Sequence, residues 1–466
     1  MPFILGANSL TGGYTVDNSC RFNIASADSL QRTPSSAGTL TKWTYSTWIK
    51  RSTLGGGQQL FSSGPRSGTV EDQLYLLDGN VINWYDGTSA THVRRSSNLF
   101  RDVSAWYHFV FVWDTANGTA NYRARIYVNG VEIIYGTQTT ISLNANSKIN
   151  STGQHRIGAV GTVAGEEFGG YMSEINFIDG QALTPTDFGE FDEDSGIWKP
   201  IAYAGTYGTN GFYLDFEDSG ALGADTSGNA NNFTVNNLTA VDQMLDTPTN
   251  NFATFNPIHK TGSLPAFSNG NLILSPTVAN YQTSFATMGI STGLAYMEML
   301  VIGTSNTGEN MGIGNDIEQN NHSNAMNPLA NTTGGYAYYP FNGNKITNNT
   351  NSAYGSSLAN GDILQIALNM DTGKVWFGKN GVYQASGNPS ADTGEAFSGL
   401  VGTFIAGMTL YSGGYTSVIV NFGQDSSFAG NKTRQSNQDS NNIGNFYYAP
   451  PTGFLALCTK NLATNG

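Results

Sequence analysis

The chain has 466 residues and a formal net charge of −13, from 21 Lys and Arg against 34 Asp and Glu. That balance, with no basic concentration beyond Arg94-Arg95, argues against a general nucleic-acid or anionic-membrane surface, because both need clustered Lys and Arg to displace counterions. Charged residues are only 12%, aromatics are another 12%, and Gly alone numbers 57, so helix formers are scarce and turn formers abundant; this predicts an all-β chain of two large domains with little helix.

The opening stretch MPFILGANSL has no basic region, and its apolar run is too short for a signal peptide. No segment approaches the apolar length of a membrane span, so a soluble protein made in the cytoplasm is expected. LTKWTYSTWIKRS (40–52) then alternates as a strand does, with Trp43, Tyr45 and Thr47 on one face and Thr44, Ser46 and Trp48 on the other. EDQLYLLDGNVINWYDGTSATHVRR holds two turn signals, Asp78-Gly79 and Asp86-Gly87, between short apolar runs, which predicts a meander. In AWYHFVFVWD, Phe109, Phe111 and Trp113 point one way and Val110 and Val112 the other; apolar residues on both faces mark a central strand between layers. IYVNGVEI follows with Asn129-Gly130, a strong hairpin signal because a type I′ turn needs positive φ at both central residues.

The order YSTWIKR, WYHFVFVWD, IYVNGVEI, HRIGAVG and GGYMSEINFIDGQALTPTDF resembles a laminin-G-like, concanavalin-type jelly roll over about residues 20–195. That resemblance implies a two-sheet antiparallel sandwich, with calcium often held at its rim. Residues 196–255 carry two short β-like pieces, 212–216 and 232–235, in turn-rich sequence, and are expected to form a packed connector. Beyond them FSNGNLIL, GLAYMEMLVIG, MGIGN, GDILQIALNMDTGKVWFGKNGVY and VIVNFGQDSSF fall in the order of a SPRY domain, a second concanavalin-like β-sandwich. Its Asn380-Gly381 repeats the hairpin signal of Asn129-Gly130. FYYAPPTGFLALCTKNL (446–462) reads as a terminal strand or short packed segment. The expected organisation is therefore a jelly roll over 1–195, a connector over 196–255, a SPRY-like sandwich over 256–430 and an extension over 431–466. Both modules together resemble virion proteins predicted from phages of marine bacteria. The resemblance implies a place in a virion, assembled in the host cytoplasm beside other virion proteins.

Candidate chemistry is sparse. Cys20 and Cys458 offer neither a disulfide framework nor metal-ligand spacing. Paired carboxylates for glycoside hydrolysis come closest in EFDEDSG, with Glu190, Asp192 and Asp194, which reads as a turn without the needed final Glu; no enzyme activity is expected. GADTSGNANN places Asp225, Ser227, Asn229 and Asn231 at alternate positions, superficially a calcium loop with Asp225 and Asn229 as weak candidates. An Asx-rich turn satisfying its own backbone is the plainer reading, and no cofactor is expected.

Binding surfaces fit the composition better. Trp84, Tyr85, Asp86, His92 and Arg94 surround a hairpin and combine a ring to stack on a sugar with groups to fix its hydroxyls; the plainer alternative makes Trp84 or Tyr85 core and Arg94-Arg95 a solvated edge. The long segment 319–355 reads as a working or docking loop, with Tyr336, Tyr338, Tyr339 and Asn342 as ligand candidates. The expected function is a non-enzymatic virion component, either a fibre or tip binding a host cell-surface glycan or receptor, or a head or tail decoration. A symmetric homo-oligomer, a trimer first, would repeat weak sites on one particle. A decoration without ligand and a carbohydrate-active hydrolase on a concanavalin-like fold are the alternatives.

Overall fold

The computed structural model describes residues 13–64, 72–87, 91–161, 166–258, 261–305, 308–315 and 327–465. It is all-β: among the described residues α-helix is limited to Pro328–Asn331 and Thr459–Asn465. The described residues up to Thr249 gather into one compact unit, and those from Asn250 onward into another.

The first unit is built on two antiparallel sheets. One has Trp106–Asp114, Lys42–Arg51 and Gly170–Asp179 at its centre. The other runs in the order Tyr135–Gln138, Thr91–Ser96, Ile82–Asp86, Asp72–Leu76, Gln58–Ser63, His155–Ile157, Ser29–Arg32 and Thr234–Asn236. Their inner faces close on one core, where Trp43 meets Trp84 at 5.2 Å and Tyr45 stacks on Phe61 at 4.7 Å. Phe109, Phe111 and Trp113 enter that core, whereas Val110 and Val112 pack outward against Ile178 and Phe188. The two-sided strand read from alternation is thus covered on both faces. The Asn129-Gly130 turn has φ of 47° and 82°, the paired positive values that a type I′ hairpin requires.

Residues 196–249 are woven into this unit. Phe212–Leu214 pairs with Gly170–Asp179, Thr234–Asn236 with Ser29–Arg32, and Gln243–Met244 with Ser19–Phe22. Two ion pairs lock the segment: Lys50 meets Asp246 at 2.7 Å, fully buried, and Arg21 meets Asp242 at 3.2 Å. Trp106 Nε1 also donates to Asp246 at 3.1 Å. Such a buried pair stays charged only where further donors offset its desolvation.

The second unit also pairs two sheets around one core. Phe285, Met311, Ile313 and Met408 come from one; Met297, Met299, Ile366 and Val418 come from the other. Asn380-Gly381 again has positive φ at both positions, 49° and 86°. The carboxy-terminal residues belong to this sandwich: Leu455–Ala456 pairs in parallel with Leu294–Gly303, and Leu457 enters the core. Residues 250–255 join it too, through Ala253 N donating to Leu457 O at 3.0 Å and Phe255 packing on Phe422.

One sequence expectation is corrected here. Much of segment 319–355 is not a loop: Gly335–Tyr339, Asn344–Thr347 and Thr350–Ser352 are successive strands of the seven-stranded sheet. The period-2 pattern of GYAYY supplies the first strand, and Asn348-Asn349, with φ of 45° and 56°, turns the last hairpin. Residues 316–326 of that segment lie outside the described residues.

Candidate functional site: a polar sheet face in the first unit

In antiparallel sheets, directly paired residues share a face, so register alone decides which side chains gather. On the second sheet of the first unit, Thr234 pairs with Gln31, Gln31 with Arg156, Arg156 with Ser62, Ser62 with Gln73, Gln73 with Tyr85, and Tyr85 with His92. This row of polar side chains crosses seven strands and spans roughly 29 Å at the usual strand spacing. A second row beside it joins Gln59, Tyr75, Asn83, Arg95 and Thr137. Trp84, Leu74 and Phe61, one residue out of phase, fill the core instead.

The side chains on this face are tied to one another. Gln59 Nε2 donates to Gln73 Oε1 at 3.2 Å, Arg95 Nε donates to Asn83 Oδ1 at 3.4 Å, and the Tyr85 and His92 rings meet edge to face at 5.5 Å. Burial, then the charge of Arg95, holds His92 below the ordinary imidazole range. Gln59 Oε1, Asn83 Nδ2 and His92 Nδ1 are buried without any hydrogen-bond partner. Leaving such groups unpaired is costly, so this face holds unused hydrogen-bonding capacity of both signs. The middle of the rows is buried, while Tyr85 and His92 at one end and Gln31 and Thr234 at the other are accessible. At the second end a pocket of about 300 Å³ opens between Gln31, Arg32, Gln154 and Asn232. Amide, hydroxyl and guanidinium groups interleaved with tyrosine rings suit a hydroxyl-rich ligand.

The structure divides the residues proposed from sequence. Tyr85 and His92 are on the polar face, and Asp86 ends the same strand opposite Thr91. Trp84 and Arg94, expected at a ligand surface, are corrected. Trp84 is 1% exposed among Trp43, Trp113 and Phe111. Arg94 is fully buried, its guanidinium donating to the carbonyls of Ala124, Val93 and Thr139 and lying over the Tyr135 ring. It is a staple between strands rather than the solvated edge that Arg94-Arg95 suggested, since Trp84 is its cross-strand partner and both face inward. Gln59, Gln73, Tyr75, Asn83 and Arg95 are functional candidates that the sequence reading missed. The alternation in DQLYL and INWYD was the available signal, because it sets Gln73, Tyr75, Asn83 and Tyr85 opposite Leu74 and Trp84.

In the second unit Tyr338 is likewise corrected to core: it is fully buried against Phe377 and its hydroxyl donates to Ser356 O. Tyr336 is half-buried against Phe397 and Phe404. Tyr339 remains partly open beside the exposed Phe341, and Asn342 is exposed with its Oδ1 accepting from Asn344 N at 3.0 Å. The aromatic surface there is therefore Tyr339 with Phe341.

The weak calcium candidate is an Asx turn in its geometry. Asp225 Oδ1 accepts from Tyr213 N and Ser227 N, both at 2.9 Å, and Oδ2 from Asn231 N at 2.7 Å. Asn229 Nδ2 donates to Gly208 O and Gly211 O. A cation here would have to displace three N–H donors from the carboxylate. In the acidic turn, Glu190 and Asp192 both reach Lys199, at 3.2 and 3.3 Å, and Asp192 Oδ1 accepts from Ser195 N and Oγ. Both carboxylates are thus engaged in the turn itself.

Comparison with known proteins agrees with this architecture. The family model for the concanavalin A-like lectin/glucanases superfamily matches residues 25–187, and that for the SPRY domain matches residues 298–425. The chain thus carries a concanavalin-like domain followed by a SPRY domain. No curated protein matches the chain. Among solved structures it is similar to the SPRY domain of human HERC1, at 20% identity over 36% of this chain and 96% of that one, with a TM-score of 0.28. A Bacteroides ovatus protein provisionally described as carbohydrate binding is 18% identical over 48% of this chain and 60% of that one, with a TM-score of 0.35. Domain 4 of an extracellular arabinanase from Geobacillus stearothermophilus, solved with arabinotriose, is 22% identical over 31% of this chain and 64% of that one, with a TM-score of 0.23. Among the described residues no helix is long and apolar enough to cross a membrane.

Proposed function

We propose that the chain is a non-enzymatic virion protein that presents its β-sandwiches to a host cell-surface glycan or receptor for attachment. One observation carries the binding half: the register-matched polar rows end in the accessible Tyr85 and His92 on one side and in the pocket between Gln31, Arg32, Gln154 and Asn232 on the other, offering rings and polar groups to a hydroxyl-rich ligand. The virion setting is supported by the sequence resemblance of the two modules in their order. Glu190 and Asp192, shared by Lys199, favour a turn over a pair of catalytic acids.

Weak glycan contacts gain by repetition on a rigid particle, so a homo-oligomer, a trimer first, belongs to the same proposal. The experiment is adsorption of virions carrying N83A/Y85A, with glycan binding by the purified full chain in parallel. Adsorption and glycan binding should both fall while cooperative unfolding persists. Normal adsorption with no glycan bound by the unmodified chain would leave a structural decoration instead. Released oligosaccharides would point to a hydrolase.

A further inference from the structure

A cleft of about 340 Å³ in the second unit lies where the end of the Asn380-Gly381 hairpin, the turn at 387–390 and the carboxy-terminal residues 448–451 converge. Gln365, Tyr383 and Ser390 supply polar groups, while Tyr448, Pro389 and Pro451 supply apolar walls; none of its lining residues is charged. The tail that forms one wall is firmly tied. Tyr447 N and Tyr448 N donate to the buried Glu298 carboxylate at 2.9 and 2.7 Å, and Thr452 N donates to Ser390 Oγ at 3.0 Å. Gln365 is held as well: its Oε1 accepts from Gly381 N at 2.6 Å, and its Nε2 donates to Tyr296 Oη at 3.3 Å. Tyr383 differs from these neighbours, because its hydroxyl is buried and has no hydrogen-bond partner. A buried hydroxyl left unpaired is a standing cost that a bound ligand would relieve.

We infer that this cleft binds a single uncharged sugar residue, its ring face against Tyr448 and its hydroxyls hydrogen-bonded to Tyr383, Gln365 and Ser390. Four features choose that ligand. The volume is at the small end of ligand pockets, suited to one ring rather than a chain. The absence of lining charge leaves an anion without a cationic partner. Ser390 Oγ already accepts from the backbone, so its own O–H is left to donate. Tyr and Pro walls give the C–H faces of a sugar a surface to rest on. The site is separate from the polar face of the first unit and depends on no property of it.

Saturation-transfer NMR on the full chain, with methyl α-mannopyranoside, methyl β-galactopyranoside and N-acetylglucosamine as probes, tests the inference; sialic acid and a proline-rich peptide serve as competitors. The same measurement on the N83A/Y85A variant separates this site from the first. At least one neutral probe should bind in both backgrounds. Tyr383→Phe should weaken it about tenfold without lowering the unfolding temperature, because the lost hydroxyl had no partner in the free protein. Tyr448→Ser should remove the signal from the ring protons. The inference is overturned if no neutral probe binds, if binding disappears in N83A/Y85A, if Tyr383→Phe changes nothing, or if sialic acid or the peptide is what occupies the cleft.

Discussion

Glu174 shows how one buried side chain shapes the pH response of the first unit. Its carboxyl accepts from Tyr14 Oη at 2.9 Å and Tyr213 Oη at 2.7 Å, and the charges bearing on it, Asp215 and Glu217, have its own sign. Burial pushes it up to about 7, outweighing those two hydrogen bonds. The unfolded value is about 4.3, so the folded state holds the proton more tightly. Stability from this group is present in full below the unfolded value and is lost as pH rises through about 7. The loss is on the order of 3 kcal/mol by pH 8. Glu174→Gln keeps the neutral shape, and both tyrosine hydroxyls can turn to suit it. The variant should therefore match the parent near pH 4 and be more stable near pH 8, as denaturant unfolding at the two pH values would record. Gly130 is the opposite kind of residue, fixed by backbone rather than charge. With φ of 82° and a would-be Cβ only 2.5 Å from the Trp198 ring, Gly130→Ala should cost about 1–3 kcal/mol in the same assay.

At the level of elements, the turns and the small strands that follow the jelly roll decide how the first sandwich closes. The Asp225 turn is self-sufficient, its carboxylate occupied by three backbone N–H groups. Added calcium should leave the unfolding temperature unchanged, whereas Asp225→Ala should lower stability by about 2–3 kcal/mol through the orphaned donors. A calcium-dependent rise in unfolding temperature that Asp225→Ala removes would restore the metal reading. Phe212–Leu214, Thr234–Asn236 and Gln243–Met244 each complete an otherwise open strand, and Asp246 neutralises the buried Lys50. A fragment ending at residue 195 should therefore lose cooperative unfolding and associate, with Lys50 deprived of Asp246 and strand edges bare, while a fragment ending at residue 249 should unfold cooperatively. Thermal melts followed by circular dichroism distinguish the two.

For the molecule as a whole, the remaining question is assembly. Phe341 is exposed next to the half-open Tyr339, more apolar surface than a solvated turn needs. Light scattering should give a mass above that of the monomer, with three copies as the expectation. Tyr339→Ser with Phe341→Ser should reduce either that mass or virion adsorption, and leave the β-rich spectrum intact. A monomeric mass together with normal adsorption of the double variant would remove both the oligomer and this surface from the proposed function.

The sequence by itself determined the strand character, the turns and the two sandwich modules. Composition starved the chain of helix, period-2 runs such as KWTYSTW fixed which residues alternate, and Asn-Gly pairs can be read locally because the positive φ they need is a property of two residues. Which face was inward, and who lay beside whom, was decided only by tertiary structure. Trp84 and Tyr85 are equally aromatic neighbours, and only the pairing of their strand with Asp72–Leu76 and Thr91–Ser96 sends one to the core and the other to the polar rows. Likewise no local signal marks Asp246 as the partner of Lys50, 196 residues away, or the residues around 448 as a wall of the Tyr383 cleft. Local propensities report the conformation of a few residues, whereas register, buried charge pairing and clefts depend on contacts between distant segments that exist only once the sheets have closed.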